Sequence, residues 1–171
     1  LSHTPGKAVA VSLKSRAAML PLGHTGLAIW FDSVGARFEA HALANGTPTR
    51  AKLAWLERYT TEHPISSRLA PWTPLDDTAR LANVPDDAPG ETGIKGFGPT
   101  FPHDPAATKV PVQTVFASPL GDDLLLEVAG AAIEGEQLGA DAFPDLLVVS
   151  LSPHDFVGHG FGHESQEQWD L

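Results

Sequence analysis

The sequence contains no cysteine in 171 residues, so neither a disulfide framework nor a thiolate metal site is available. Any metal must be held by imidazole and carboxylate groups. Cations are scarce: 11 Lys and Arg stand against 21 Asp and Glu, for a net charge of −10. That balance disfavours nucleic acid or an anionic membrane surface as main partner, since both reward a basic face. A local cation cluster can still receive an anionic substrate. No run of eighteen apolar residues occurs, so no segment reads as a membrane span. The start, LSHTPGKAVAV, has neither an initiator Met nor the layout of a signal peptide. The end, HESQEQWDL, stops in what reads as the first turns of a helix. Both edges give the expectation of a middle fragment of a longer protein. No internal repeat or low-complexity tract occurs.

What is present is ordinary globular composition, 42% hydrophobic and 19% charged, enough for one domain with a smaller lobe. Residues Ala8 to Leu13, AVAVSL, read as a buried strand after a Pro-Gly turn. SRAAML reads as a short helix stopped by Pro21 and Gly23. GLAIWFD, Gly26 to Asp32, is a second strand, with Trp30 in the core, and ARFEAHA a third, more exposed one. Thr49 to His63 reads as a helix with Leu53, Leu56 and Tyr59 on one stripe, widened by Trp55. Between Pro64 and Pro111 lie nine of the fifteen prolines, and periodicity vanishes. Linkers seldom carry large aromatics, so Trp72, Phe97 and Phe101 point to an ordered, loop-rich cap with a small core of its own. A helix follows, with Ser118 as N-cap, Pro119 at its first position and Gly139 as its stop. Leu124, Val128, Ala131 and Leu138 mark its buried stripe. DLLVVSLS, Asp145 to Ser152, is a nearly continuous apolar run, expected to be a central strand covered on both faces.

The expected class is therefore α/β: a partial core of mostly parallel sheet with flanking helices, plus a Pro-rich cap. The division is 1–33 core, 34–112 cap, and 113–171 core.

Two motifs follow strands, where open α/β sheets bind ligands. In SPHDFVGHGFGHES, Asp155 and His159 are four residues apart, a spacing at which a carboxylate oxygen and an imidazole nitrogen converge when the backbone turns once. Gly158 would let that turn tighten. A solvated polar loop, or an Asp capping a helix, accounts for the same letters. His154 and His163 read as neighbours rather than ligands. In VSLKSRAAM, Lys14 and Arg16 follow the first strand, and on extended backbone alternate residues point the same way. Arg offers a planar fork to phosphate oxygens and Lys a point charge. A solvent-facing pair at the first turn of a helix is the alternative.

Taken together these stretches resemble the alkaline phosphatase superfamily. They are most similar to its bacterial phosphate-irrepressible alkaline phosphatase branch, which is like type I phosphodiesterases and nucleotide pyrophosphatases. The likeness lies in AIEGEQLG leading into DLLVVSLSPHDFVGHGFG, in SLKSR with WFD, and in PWTPL, DDAPGE and FPH of the cap. The resemblance implies a two-zinc phosphomonoesterase acting through a covalent phospho-enzyme. By it, Asp155 and His159 match two ligands of one zinc, and Lys14 and Arg16 match the side chains that bind non-bridging phosphoryl oxygens. It places the nucleophile before Leu1 and the remaining ligands beyond Leu171; His103-Asp104 has the wrong order to replace them. The chain alone is expected to be inactive and to hold at most one partial zinc site. Expected partners are a phosphate monoester and the remainder of the parent polypeptide, with no nucleic acid or membrane, and the expected location is periplasmic or secreted. A diesterase, nucleotide pyrophosphatase or sulfatase of the same superfamily is the alternative enzyme. A non-catalytic metal-binding or cap fragment is the alternative outside enzymes.

Overall fold

A computed structural model describes residues 6–75 and 83–171. The strands are β1 Ala8–Ser12, β2 Thr25–Asp32, β3 Arg37–Ala44, β4 Thr47–Ala51 and β5 Leu146–Ser150. The helices are α1 Ser15–Met19, α2 Ala54–Glu62, α3 Pro119–Gly135, α4 Pro153–Phe161 and α5 Gln166–Asp170. Short 3-10 turns complete the described elements. The chain divides into two compact units, one of Leu1–Pro64 with Asp123–Leu151 and one of Ile65–Asp122 with Ser152–Leu171.

The first unit is a five-stranded sheet in the order β4-β3-β2-β1-β5. β1 runs parallel to both β2 and β5, while β2, β3 and β4 form an antiparallel meander. The α/β class holds, and the sheet is mixed. Local turn chemistry explains the meander. Asp32 accepts hydrogen bonds from the backbone N–H groups of Val34 and Gly35, each at 3.0 Å, closing the β2–β3 turn. Asn45 and Gly46 both have positive φ, 50° and 76°, which suits a two-residue hairpin between β3 and β4.

Because β3 and β4 belong to this sheet, the unit runs to Pro64 and does not end at the expected 33/34 division. The second division at 112/113 is displaced in the same way, to Asp122/Asp123, and residues after Leu151 fall in the other unit. The helix expected from Thr49 starts at Ala54, because Thr47–Ala51 hydrogen-bonds to β3. Leu56 is its buried residue. Tyr59 reaches α3 instead, donating to Glu127 at 3.0 Å, and Trp55 donates to Glu136, just past its end, at 2.7 Å.

A core cluster of Ala10, Ala18, Leu22, Ala28 and Leu43 joins α1 to the sheet, with Trp30 packed at its margin. On α3 the buried stripe is Leu124, Leu125, Val128, Ala129 and Ala132; the expected Leu124 and Val128 belong to it, while Ala131 and Leu138 are only half-buried. The helix ends before Gly139. Leu138 N–H bonds back to Ile133 and Gln137 N–H to Glu134, with Gln137 itself at φ 55°, so a glutamine takes the left-handed closing position. β5 is an edge strand among the described residues, with Leu146 49% exposed, so its apolar run is not doubly covered as expected.

The second unit has few regular elements. Its core is Trp72, Phe97, Ala117, Val157 and Phe161, with Phe101 packed against it, so the cap aromatics do form a small core.

Candidate active site

Helix α4 carries the first motif. Ser152 precedes it, Pro153 occupies its first position, and Asp155 lies in its first turn. The expected loop is thus a helix, because its buried face of Pro153, Val157, Gly160 and Phe161 gives it something to pack against. Gly158 does not tighten a turn; it sits mid-helix, where an added Cβ would lie 3.2 Å from Gln168 Oε1. Gly160 allows a still closer approach, since a Cβ there would come within 2.5 Å of Ile94 Cβ.

Opposite that packed face, Asp155 and His159 stand in solvent with side chains 55% and 75% exposed. Asp155 Oδ1 and His159 Nε2 are 3.5 Å apart. This separation tests the metal reading. Two donors about 2.1 Å from a tetrahedral ion lie about 3.4 Å apart. The pair therefore fits two ligands of one cation, and an oxygen and a nitrogen donor suit zinc. Among the described residues no group of three His, Asp or Glu is arranged to hold a metal, so the pair offers half of a tetrahedral set. His163 is fully in solvent beside Glu164, and His154 is exposed.

The second motif lies in the sheet unit. β1 ends at Ser12, and Ser12 Oγ accepts from Lys14 N–H at 3.1 Å. Lys14 holds the N-cap position of α1 in extended conformation, and its carbonyl receives Ala18 N–H at 3.1 Å. Arg16 is already helical and exposed. The alternation of an extended segment therefore does not extend to Arg16; the strand gives way to helix between the two cations. Ser12 and Ser150 are register partners on parallel strands. Each motif thus follows, in sequence, one of two strands that end level with each other in one sheet.

A feature without any sequence signal is the buried pair His103 and Glu167, with Nε2 and Oε1 2.8 Å apart. Asp86 and Glu91 of the same unit have carboxyls raised above their ordinary values, first by burial and then, in part, by the charge of Glu167. These residues lie up to 81 positions apart in sequence, so no local pattern announces them.

No family model matches the chain. Alkaline phosphatase PafA of Elizabethkingia meningoseptica is 33% identical over 171 residues, 96% of this chain and 30% of that protein. Alkaline phosphatase PhoV of Synechococcus elongatus is 34% identical over the same shares. The chain is a relative of bacterial alkaline phosphatases. It spans about 30% of the length of these alkaline phosphatase relatives. A protein named calcium-transporting ATPase from Myroides odoratus is 31% identical over 94% of the chain. The crystal structure of wild-type alkaline phosphatase PafA superposes with a TM-score of 0.76 at 31% identity, covering 96% of this chain and 32% of that one. A PafA variant with four substitutions superposes with a TM-score of 0.78 at 30% identity. The fold is thus that of part of an alkaline phosphatase. No helix among the described residues is long and apolar enough to cross a membrane.

Proposed function

We propose that this chain is part of a zinc-dependent, periplasmic or secreted alkaline phosphatase that hydrolyses phosphate monoesters. The observation that carries the proposal is the solvent-facing Asp155–His159 pair at 3.5 Å, the separation that two ligands of one tetrahedral ion require. Its relatives' names support the same class. The intact protein would hold two zinc ions, of which this chain contributes two ligands to one. Zinc bound there would supply Lewis-acid stabilisation of charge on the reacting oxygens.

Lys14 and Arg16 would bind the non-bridging phosphoryl oxygens, the ammonium as a point charge and the guanidinium as a fork. A monoester presents more negative charge at the transferred group than a diester, so two cations there favour it. The PafA variant whose fold matches this chain has a lysine and an arginine two positions apart replaced by alanine, the spacing of Lys14 and Arg16. The reaction would proceed in two steps. A hydroxyl attacks phosphorus and the alcohol departs; water then hydrolyses the phospho-enzyme. No residue of this chain is assigned as that nucleophile.

The test replaces the corresponding third of PafA with this chain and assays p-nitrophenyl phosphate and its bis-ester. Monoester hydrolysis abolished by chelator and restored by zinc is expected. Lys14→Ala or Arg16→Ala should lower monoester turnover by about 10²–10³-fold, the size of losing one preorganised donor to a developing charge. Chelator-insensitive turnover, or preference for the bis-ester, refutes the assignment.

A further inference from the structure

The second unit is organised around one imidazole. His103 is 1% exposed and Glu167 fully buried, an unusual place for two ionisable side chains. Four aromatic rings surround the imidazole: Phe101 at 4.6 Å, Phe161 at 4.9 Å, Phe97 at 5.0 Å and Trp72 at 5.3 Å between centroids. Phe161 belongs to α4 and Glu167 to α5, so this one side chain joins both helices to the loop that carries it. The loop is itself pinned, since His103 and Trp72 exchange backbone hydrogen bonds at 2.9 Å.

Helix α5 is hung on the same framework. Asp170 accepts from Trp72 Nε1 and from Leu75 N–H, each at 2.6 Å, and Gln166 donates to the Val84 carbonyl at 2.6 Å. Gln168, the residue after Glu167, lies against Gly158 of α4, directly before His159 and within one turn of Asp155. Buried pairs of this kind are often no more stabilising than apolar side chains of equal size. What the hydrogen bond adds is a defined distance and orientation between its two partners, by which a buried polar pair specifies one arrangement of its elements.

Helix α4 has nine residues, too few to stay wound in water without tertiary support. Asp155 and His159 converge only while it is wound. We infer that the buried His103–Glu167 hydrogen bond is a positioning device: it fixes α5, and through Gln168 and Phe161 the seat of α4, so that the exposed donors keep their cation-binding separation. The inference rests on the metal reading of that pair. His103 and Glu167 are buried, and neither belongs to the exposed donor pair. When a binding-competent state is only partly populated, apparent affinity falls by that fraction. A merely structural pair would change the melting temperature and leave zinc affinity untouched well below the melt.

The experiment titrates zinc into the full chain and follows the His159 imidazole nitrogen signals by NMR. Binding should be saturable in the native chain and within about twofold in Glu167→Gln, which retains an oxygen acceptor for His103. Glu167→Ala should bind at least tenfold more weakly. If that variant fails to fold, the double variant His103→Phe/Glu167→Leu replaces both partners with apolar groups and is expected to melt near the native chain. Its zinc affinity should still fall at least threefold. Equal affinity in the native chain and a folded variant overturns the positioning role and leaves the metal reading standing. Absence of saturable binding in the native chain overturns the metal reading, and the inference with it.

Discussion

Replacing Asp155 with alanine separates a residue that holds the fold from one that holds a ligand. Its known contributions to stability are small. An exposed i,i+4 ion pair is worth about 0.3–0.5 kcal/mol, and an acidic residue in the first turn of a helix up to about 1 kcal/mol. With both side chains more than half exposed, the loss should total no more than about 1.5 kcal/mol. For a chain of this length that lowers the melting temperature by at most about 6 °C, at 2–4 °C per kcal/mol. Zinc changes the comparison. At a hundred times its dissociation constant a ligand adds about 2.7 kcal/mol to the folded state, a rise of about 5–11 °C. Calorimetry with and without zinc should therefore show a small deficit in Asp155→Ala and a complete loss of the zinc-dependent rise. His154→Ala and His163→Ala should keep that rise, because neither joins the donor pair. A variant that gains as much from zinc as the native chain, or that loses more than about 3 kcal/mol without it, refutes the reasoning.

Three further outcomes test the packing and electrostatics. Gly160→Ala should destabilise the unit carrying Trp72 by about 1–3 kcal/mol, since the new methyl group meets the β-branched Ile94; urea unfolding followed by tryptophan fluorescence measures it. Leu124→Ala, at a fully buried position of α3, should cost about 2–5 kcal/mol, while Leu126→Ala, 57% exposed on the same helix, should stay within about 0.5 kcal/mol; equal losses would refute the observed face. The raised carboxyl of Glu91 sets a pH dependence: its contribution is fully present below its unfolded value of 4.5 and is lost as pH rises through the higher folded value. Glu91→Gln should therefore gain stability relative to the native chain from pH 4 to pH 7, read from paired urea titrations. A difference flat with pH would show that the carboxyl is not desolvated.

The convergence of Asp155 and His159 was legible because its logic is short-range. A carboxylate and an imidazole four residues apart meet on one face of any wound helix, so the convergence of Asp155 and His159 needs only local backbone geometry. The strands of AVAVSL and GLAIWFD, the Ser-Pro start of α3 and the aromatic packing of the cap were readable for the same reason. Elsewhere the letters were compatible with two structures. Thr49–Ala51 could begin the helix that follows, and only hydrogen bonding to β3 makes it part of a strand. Gln137, not a glycine, closes α3, because the returning backbone bonds outweigh the modest cost of left-handed geometry.

By itself, then, the sequence determined the main apolar strands, the start of α3, and which donors lie within one helical turn of each other. Tertiary structure alone decided that the β2–β3–β4 meander belongs to the sheet unit, that β5 lies at an edge among the described residues, and that His103 meets Glu167 across 64 positions. The physical reason is range. Periodicity and capping act over a few residues, whereas strand pairing and burial depend on distant segments whose arrival no local pattern encodes.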